Sequence, residues 1–294
     1  MRLEDWKRAG KTFDFEGHRI FYREEGQGDA LLLVHGYPTA SWDWYRIWPE
    51  LTRRYRVIAP DMLGFGFSAK PLRHDYSLLE QATLHERLLQ ALGVTRAHLL
   101  AHDYGVSVAS ELLARHEDRQ QEHREGLELR SVCLLNGGLF PETHRPRLIQ
   151  KLLASPLGSL LSRLVSERAF HRSFAAIFGP RTQPTPQELH EYWELVASDH
   201  GTWISHRLLR YMAERRTHRE RWVGALVKTR VPRRLINGPE DPVSGAHMAA
   251  RYRELIPEPD VVSLPGIGHY PQVEDPQGVL KAFFEFMGRA GGAR

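Results

Sequence analysis

Short, uninterrupted apolar runs recur at Ala30–Val34, Val57–Ala59, His98–Ala101 and Val132–Leu135, each bounded by turn residues. A strand with one wet face alternates apolar and polar side chains, whereas a strand covered on both faces reads as a continuous run. Between these runs, Leu78–Leu92 and Val106–Arg115 carry helical spacing. Buried strands alternating with helices predict βα units around a mostly parallel twisted sheet flanked by helices, an α/β fold. Thr12–Phe15 and Arg19–Arg23 alternate about Glu16-Gly17 and predict an antiparallel hairpin ahead of that sheet. Arg234–Ile236 and Val261–Leu264 predict two late strands, and Ala282–Met287 opens a closing helix.

From about Leu139 to Leu226 the rhythm breaks. Helical patches at Leu148–Leu153, Gln187–Ala197 and Ile204–Ala213 are punctuated by Pro180, Pro184 and Pro186, with no convincing strand. This predicts a helical cap, residues 139–226, inserted after the sixth strand into a core formed by 1–138 and 227–294. A chain of 294 residues, 41% apolar and 26% charged, suits one large domain with an insertion and shows no disorder signature.

Composition narrows the function classes. A single cysteine, Cys133, in a predicted core strand, excludes a disulfide framework and any cysteine-based zinc site. No apolar run approaches the ~18 residues of a membrane span, and Met1–Arg8 has no stretch of signal-peptide type. A soluble, cytoplasmic protein without a membrane partner is expected. The 40 basic residues include 34 arginines, yet the net charge is only +4 and no block of five or six like charges occurs, which argues against a nucleic-acid partner. The insertion holds 13 Lys/Arg against 8 Asp/Glu, leaving 27 against 28 elsewhere, so the basic surplus belongs to the predicted cap.

The sharpest chemical signal is Leu99-Leu100-Ala101-His102-Asp103-Tyr104-Gly105-Val106. An apolar strand runs into an acidic residue with small residues two positions to either side, and a helix follows. This is the pattern of a strand–nucleophile–helix elbow, whose strained turn leaves no room for larger neighbours. Helix N-capping is the competing role for Asp103. Ser107, in Gly105-Val106-Ser107-Val108-Ala109, falls a full turn inside the helix and is out of register for a nucleophile. Val34-His35-Gly36-Tyr37-Pro38 follows the third strand, where a loop N–H, here that of Tyr37, joins the N–H of Tyr104 in an oxyanion hole. Asp241 follows the next-to-last strand, and His269 stands on Pro265-Gly-Ile-Gly-His-Tyr270 after the last one. The order Asp103, Asp241, His269 is nucleophile, acid, histidine. Asn136, at the end of the preceding core strand, leaves the alternative acid position vacant. His190-Glu191 lacks the second histidine of a zinc-protease helix, and Gly64-Phe-Gly-Phe67 is not a phosphate loop. No metal and no cofactor are expected.

With these motifs in place the chain resembles the α/β-hydrolase superfamily over essentially its whole length, in the branch of epoxide hydrolases and haloalkane dehalogenases. The likeness rests on His35-Gly-Tyr-Pro38, Asp61-Met-Leu-Gly-Phe-Gly-Phe-Ser-Ala-Lys-Pro71, His102-Asp-Tyr-Gly105 and Gly268-His-Tyr-Pro271. Asn136–Pro146, Arg221–Leu226 and His269–Pro276 are similar to the mesoderm-specific transcript homologue group, a set of hydrolases without a settled substrate. The resemblance implies a small-molecule substrate and a monomer or homodimer. It makes His35, Trp193, Tyr211 and Trp222 substrate-binding candidates, alongside the cap aromatics Tyr192 and Trp203; for each of the cap aromatics, packing within the cap is the competing role and the one favoured residue by residue. Tyr211 is singled out because epoxide hydrolases place a proton donor late in the insertion.

An aspartate nucleophile favours attack on saturated carbon, which gives an ordinary alkyl ester, over attack on an ester, which would give an anhydride. The expected reaction is epoxide hydrolysis, with dehalogenation or ester hydrolysis as alternatives on the same machinery. A non-catalytic ligand-binding protein on the same scaffold is the remaining reading. Tyr104, where many dehalogenases carry tryptophan, weighs against the halide.

Overall fold

The computed structural model describes residues 1–155 and 157–292. Eight strands form one sheet: β1 (Lys11–Phe15), β2 (His18–Glu25), β3 (Ala30–Val34), β4 (Arg56–Pro60), β5 (Arg96–Ala101), β6 (Glu128–Leu134), β7 (Arg233–Asn237) and β8 (Val261–Ser263). Their order is β1-β2-β4-β3-β5-β6-β7-β8. The first two pairings are antiparallel and all others parallel. The hairpin register pairs Phe15 with His18, and Glu16 and Gly17 both take positive φ, 52° and 82°, as a two-residue turn between twisted strands requires.

The continuous apolar runs serve two cores at once. Leu32, Val34, Ile58, Leu99, Ala101, Val132, Leu134 and Leu235 face one layer of helices. Their sequence neighbours Leu31, Leu33, Val57, Ala59, Leu100, Cys133 and Ile236 face the other, the period-two alternation of a sheet covered on both sides. Cys133 is fully buried there.

Between β6 and β7 the described residues contain helices and turns only. The patch read as continuous over Ile204–Ala213 is two helices, Gly201–Leu208 and Tyr211–Thr217, separated by a turn. That turn brings Tyr211 and Arg215 over the end of β5. The closing helix starts earlier than the apolar pattern suggests, at Pro276. Proline suits a first helical position, and the Asp275 carboxylate accepts the Gly278 N–H at 2.9 Å, a capping bond that apolar periodicity does not register.

The insertion is riveted to the core at Glu111, on the helix Tyr104–Gln121 that follows β5. Its carboxylate, 3% exposed, accepts from the Trp222 indole at 2.8 Å, Arg221 Nε at 2.9 Å and Arg115 Nε at 2.9 Å. Removing the carboxylate would leave a buried indole N–H and two guanidinium groups short of an acceptor, a change that costs about 3 kcal/mol. Glu111→Ala is therefore expected to lower stability by about that amount, read as a drop in the urea unfolding midpoint. Surface Glu220→Ala should leave the midpoint in place.

Candidate active site

Asp103 sits at the C-terminal end of β5 with φ 47° and ψ −107°. A non-glycine residue occupies that region only when its surroundings impose it. Here they do so from both sides. His102 N–H donates to the Val34 carbonyl at 2.9 Å and Asp103 N–H to the Asn136 carbonyl at 2.7 Å. Gly105 permits the close approach, because a Cβ there would lie 2.3 Å from the Val34 carbonyl oxygen.

The strained turn presents the carboxylate to the Tyr37 loop. Oδ1 accepts the Tyr37 N–H at 2.8 Å, and Oδ2 lies 3.5 Å from His269 Nε2. Tyr104 opens the following helix, where its N–H has no intrahelical acceptor. His269 Nδ1 donates to Asp241 Oδ2 at 2.7 Å. Asp241 is itself fixed by the Val243 N–H at 2.7 Å, the Ser244 hydroxyl at 2.7 Å and the Asn136 amide at 2.9 Å. The three residues Asp103, Asp241 and His269 are thus brought together, each nearly buried.

Electrostatics sharpen the division of labour. Burial alone would raise the Asp103 pKa, but the hydrogen bond and charge of His269, with Arg215 behind, bring it below the ordinary carboxylate range. Burial would likewise lower His269, and is outweighed by Asp241 and Asp103, which raise it well above the usual imidazole value. Both directions favour an imidazolium between two carboxylates in the resting site.

A cavity of about 400 Å³ opens over the triad. Asp103, His269 and Tyr37 lie at its base, and its walls include Leu153, Leu161, Val165, Phe170, Phe174 and Val243. The base is polar and the walls are apolar.

The other expected residues divide. Tyr211 is beside the site: its ring centroid is 6.1 Å from that of Tyr37 and 5.2 Å from that of Tyr104. Its hydroxyl accepts from Gln150, a cavity residue, at 3.3 Å. Three of the four substrate-binding expectations find no support in position. Trp222 turns its indole N–H to Glu111. Trp193 stacks behind Phe170, centroids 5.6 Å apart. His35 is buried beneath the Tyr37 loop, where Nε2 accepts the Met62 N–H at 3.0 Å and Nδ1 donates to the Gly36 carbonyl at 2.9 Å. Burial pushes its pKa down to about 3, so it is a neutral brace for that loop. None of the three lines the cavity, nor do Tyr192 and Trp203; Tyr211 does not line it either and is distinguished only by its contacts with Tyr37, Tyr104 and Gln150. Ser107 lies within the helix and accepts from Arg215 Nε at 2.7 Å.

Sequence reasoning passed over two residues. Asn136 leaves the alternative acid position vacant, and in addition its side chain holds Asp241 while its carbonyl holds Asp103. Its place at the end of the central strand β6 was the available signal. Arg215, 3% exposed, donates from Nη2 to the Asp103 carbonyl at 3.1 Å and lies 4.4 Å over the Tyr211 ring. Among the nine arginines from Arg207 to Arg234, nothing in spacing distinguishes it. No cluster of His, Cys, Asp and Glu suited to a metal occurs among the described residues.

Comparison with known proteins agrees with this architecture. Residues 29–122 match the family described as alpha/beta hydrolase fold. The chain is 45% identical to the mesoderm-specific transcript protein of Mus musculus, covering 97% of this chain and 88% of the relative. It is 41% identical to LipZ of Mycobacterium tuberculosis, covering 97% and 98%. The haloalkane dehalogenase DbeA of Bradyrhizobium elkani superposes with a TM-score of 0.81 at 23% identity, covering 97% and 99%. The chain is a hydrolase of the α/β-hydrolase fold family and belongs with the mesoderm-specific transcript proteins.

Proposed function

We propose that the protein hydrolyses an epoxide through an alkyl ester on Asp103. The observation that carries this reading is the Asp103 carboxylate itself: one oxygen held by the Tyr37 N–H, the other facing His269, both at the base of an apolar cavity. Oδ2 attacks a saturated ring carbon and the carbon–oxygen bond opens. The departing alkoxide takes a proton from a phenol, for which Tyr37 and Tyr211 are the neighbouring candidates. A halide would instead want an N–H donor, and the indoles of Trp193 and Trp222 are turned elsewhere.

In the second half-reaction His269 Nε2 removes a proton from water, which attacks Cγ of the ester. The oxyanion develops on Oδ1, where the Tyr37 and Tyr104 N–H groups receive it. Collapse breaks the bond between Cγ and Oδ2, and the departing alkoxide takes the proton left on the solvent oxygen, so that oxygen stays on Asp103, again a carboxylate, and Oδ2 leaves with the diol. Alkylation also prepares its own reversal. It removes the Asp103 charge, so one of the two carboxylates that favour protonated His269 is lost; the imidazolium returns its proton to the phenolate left by ring opening and the imidazole becomes available as a base.

His269→Gln incubated with a panel of epoxides and haloalkanes should accumulate a substrate-sized mass on the peptide containing Asp103. An absence of adduct together with absence of wild-type turnover across the panel would sink the proposal.

The pKa directions predict that the two half-reactions part with pH. Asp103 is lowered, so adduct formation in the wild type should stay flat as pH falls through the ordinary carboxylate range near ~4. Release needs neutral His269, so it should slow as pH falls, about tenfold per unit below the imidazole pKa of the alkyl-enzyme. Quenched-flow mass spectrometry should therefore find more alkyl-enzyme at pH 5 than at pH 8. Arg215→Gln should move the acid limit of adduct formation up by roughly one unit, with an unchanged pH dependence of release.

A further inference from the structure

Apolar side chains at helical spacing ordinarily turn inward, but one stretch of the insertion does the reverse. Of the eight large apolar side chains exposed among the described residues, six are Leu148, Ile149, Leu152, Leu157, Leu160 and Leu164. They follow helical spacing on Leu148–Leu153 and around Gly158–Leu161. Leu148 and Leu164 are 72% and 70% exposed. Ile149, Leu152 and Leu164 are at once exposed and part of the cavity wall. The outer patch and the lining of the site are one continuous apolar surface that begins at the triad and ends in solvent.

The charge around this rim has one sign. Arg145, Arg147, Lys151 and Arg163 lie within or beside it, and no acidic residue occurs between Glu142 and Glu167. None of the four basic side chains forms an ion pair among the described residues, and Arg163 instead lies 5.0 Å over the Trp203 ring. Exposed leucines ringed by unpaired cations fit a surface that is apolar within and anionic at its boundary. A second copy of the chain fits poorly, because it would set these cations against their own images and close the mouth of the cavity.

We propose that this face of the cap seats peripherally on an anionic phospholipid surface, with the cavity mouth turned toward the lipid. This goes beyond the reaction assigned above and does not depend on it. It also revises the expectation of no membrane partner. That expectation rested on the lack of a spanning segment, and no helix among the described residues is long and apolar enough to cross a membrane. Peripheral seating requires none.

The test is co-sedimentation with vesicles of phosphatidylcholine alone and of phosphatidylcholine with roughly one-third phosphatidylglycerol. The full chain should bind the anionic vesicles, and bind them less as salt rises. Each cation near an anionic surface is worth on the order of fivefold in affinity, so Lys151→Gln with Arg163→Gln should weaken binding ~25-fold. Leu157→Ser with Leu160→Ser should abolish it; neither leucine lines the cavity, so turnover of a small soluble substrate and the unfolding temperature should not change. Because Cys133 is fully buried, a Leu157→Cys variant can be labelled selectively. An environment-sensitive dye there should shift to the blue on anionic vesicles, while the same dye on Glu125→Cys, in the turn before β6 at the opposite end of the parallel strands, should not. Absence of binding, binding unaffected by both double variants, or equal dye responses at the two positions would overturn the proposal. So would a dimer in sedimentation velocity that Leu157→Ser with Leu160→Ser dissociates, which would give the face to a second copy.

Discussion

The strained backbone at Asp103 is the constraint on which the rest of the molecule depends. A residue held in that region costs on the order of 1–3 kcal/mol, and three elements hold it there, two of them distant in sequence. β3 supplies the Val34 carbonyl that receives His102, and β6 leads into the Asn136 carbonyl that receives Asp103. The helix that follows presses Gly105 against the end of β3. β5 must therefore lie between β3 and β6, which is the observed order. The same placement puts the Tyr37 loop on one side of the carboxylate and Asp241 with His269 on the other. Sheet order and site geometry are one condition stated twice.

Given that geometry, the charges determine which state the site rests in. Two buried carboxylates and one imidazole form a net anionic cluster, and Arg215 is the insertion's contribution to it. Its guanidinium reaches the elbow through the Asp103 carbonyl and Ser107, not through a carboxylate. It therefore supplies positive potential without neutralising either acid, and leaves both free to interact with His269. Removing a proton at any one of these positions changes the others, so in the reaction we propose, alkylation of Asp103 and activation of His269 belong to a single event.

Most of the core was legible because its signals are local. Continuous apolar runs reflect burial on both faces, and the small residues around Asp103 reflect a collision that sequence spacing alone encodes. Gly105 bears that reasoning out in distance, since a Cβ would meet the Val34 carbonyl. The cap was legible as helical but not as an environment. Trp222 and Trp193 are aromatic residues in a region expected to cover substrate, yet one is turned toward Glu111 and the other lies behind Phe170. Which face of a short helix meets the cavity depends on turns such as the one before Tyr211, and periodicity does not specify them. Asn136 leaves the alternative acid position without an acid, as the sequence indicates, but that its amide holds Asp241 in place is not visible in spacing.

The basic surplus of the insertion also takes on a meaning that counting could not give it. Several of its cations are engaged with the rest of the fold. Arg219 pairs with Glu142, Arg221 with Glu111 and Asp118, and Arg210 with Asp75, while Arg215 is buried at the elbow. These lie in the later helices, which rest on the core. Arg145, Arg147, Lys151 and Arg163 belong to the earlier ones, which carry the exposed leucines. Within that surplus, Arg210 and Arg221 are tied to acids of the core, while Arg145, Arg147, Lys151 and Arg163 stand without an ion pair beside the exposed leucines. What sets the Leu148–Leu164 stretch apart is the coincidence of two features: six exposed apolar side chains, and cations with no acidic residue among them between Glu142 and Glu167.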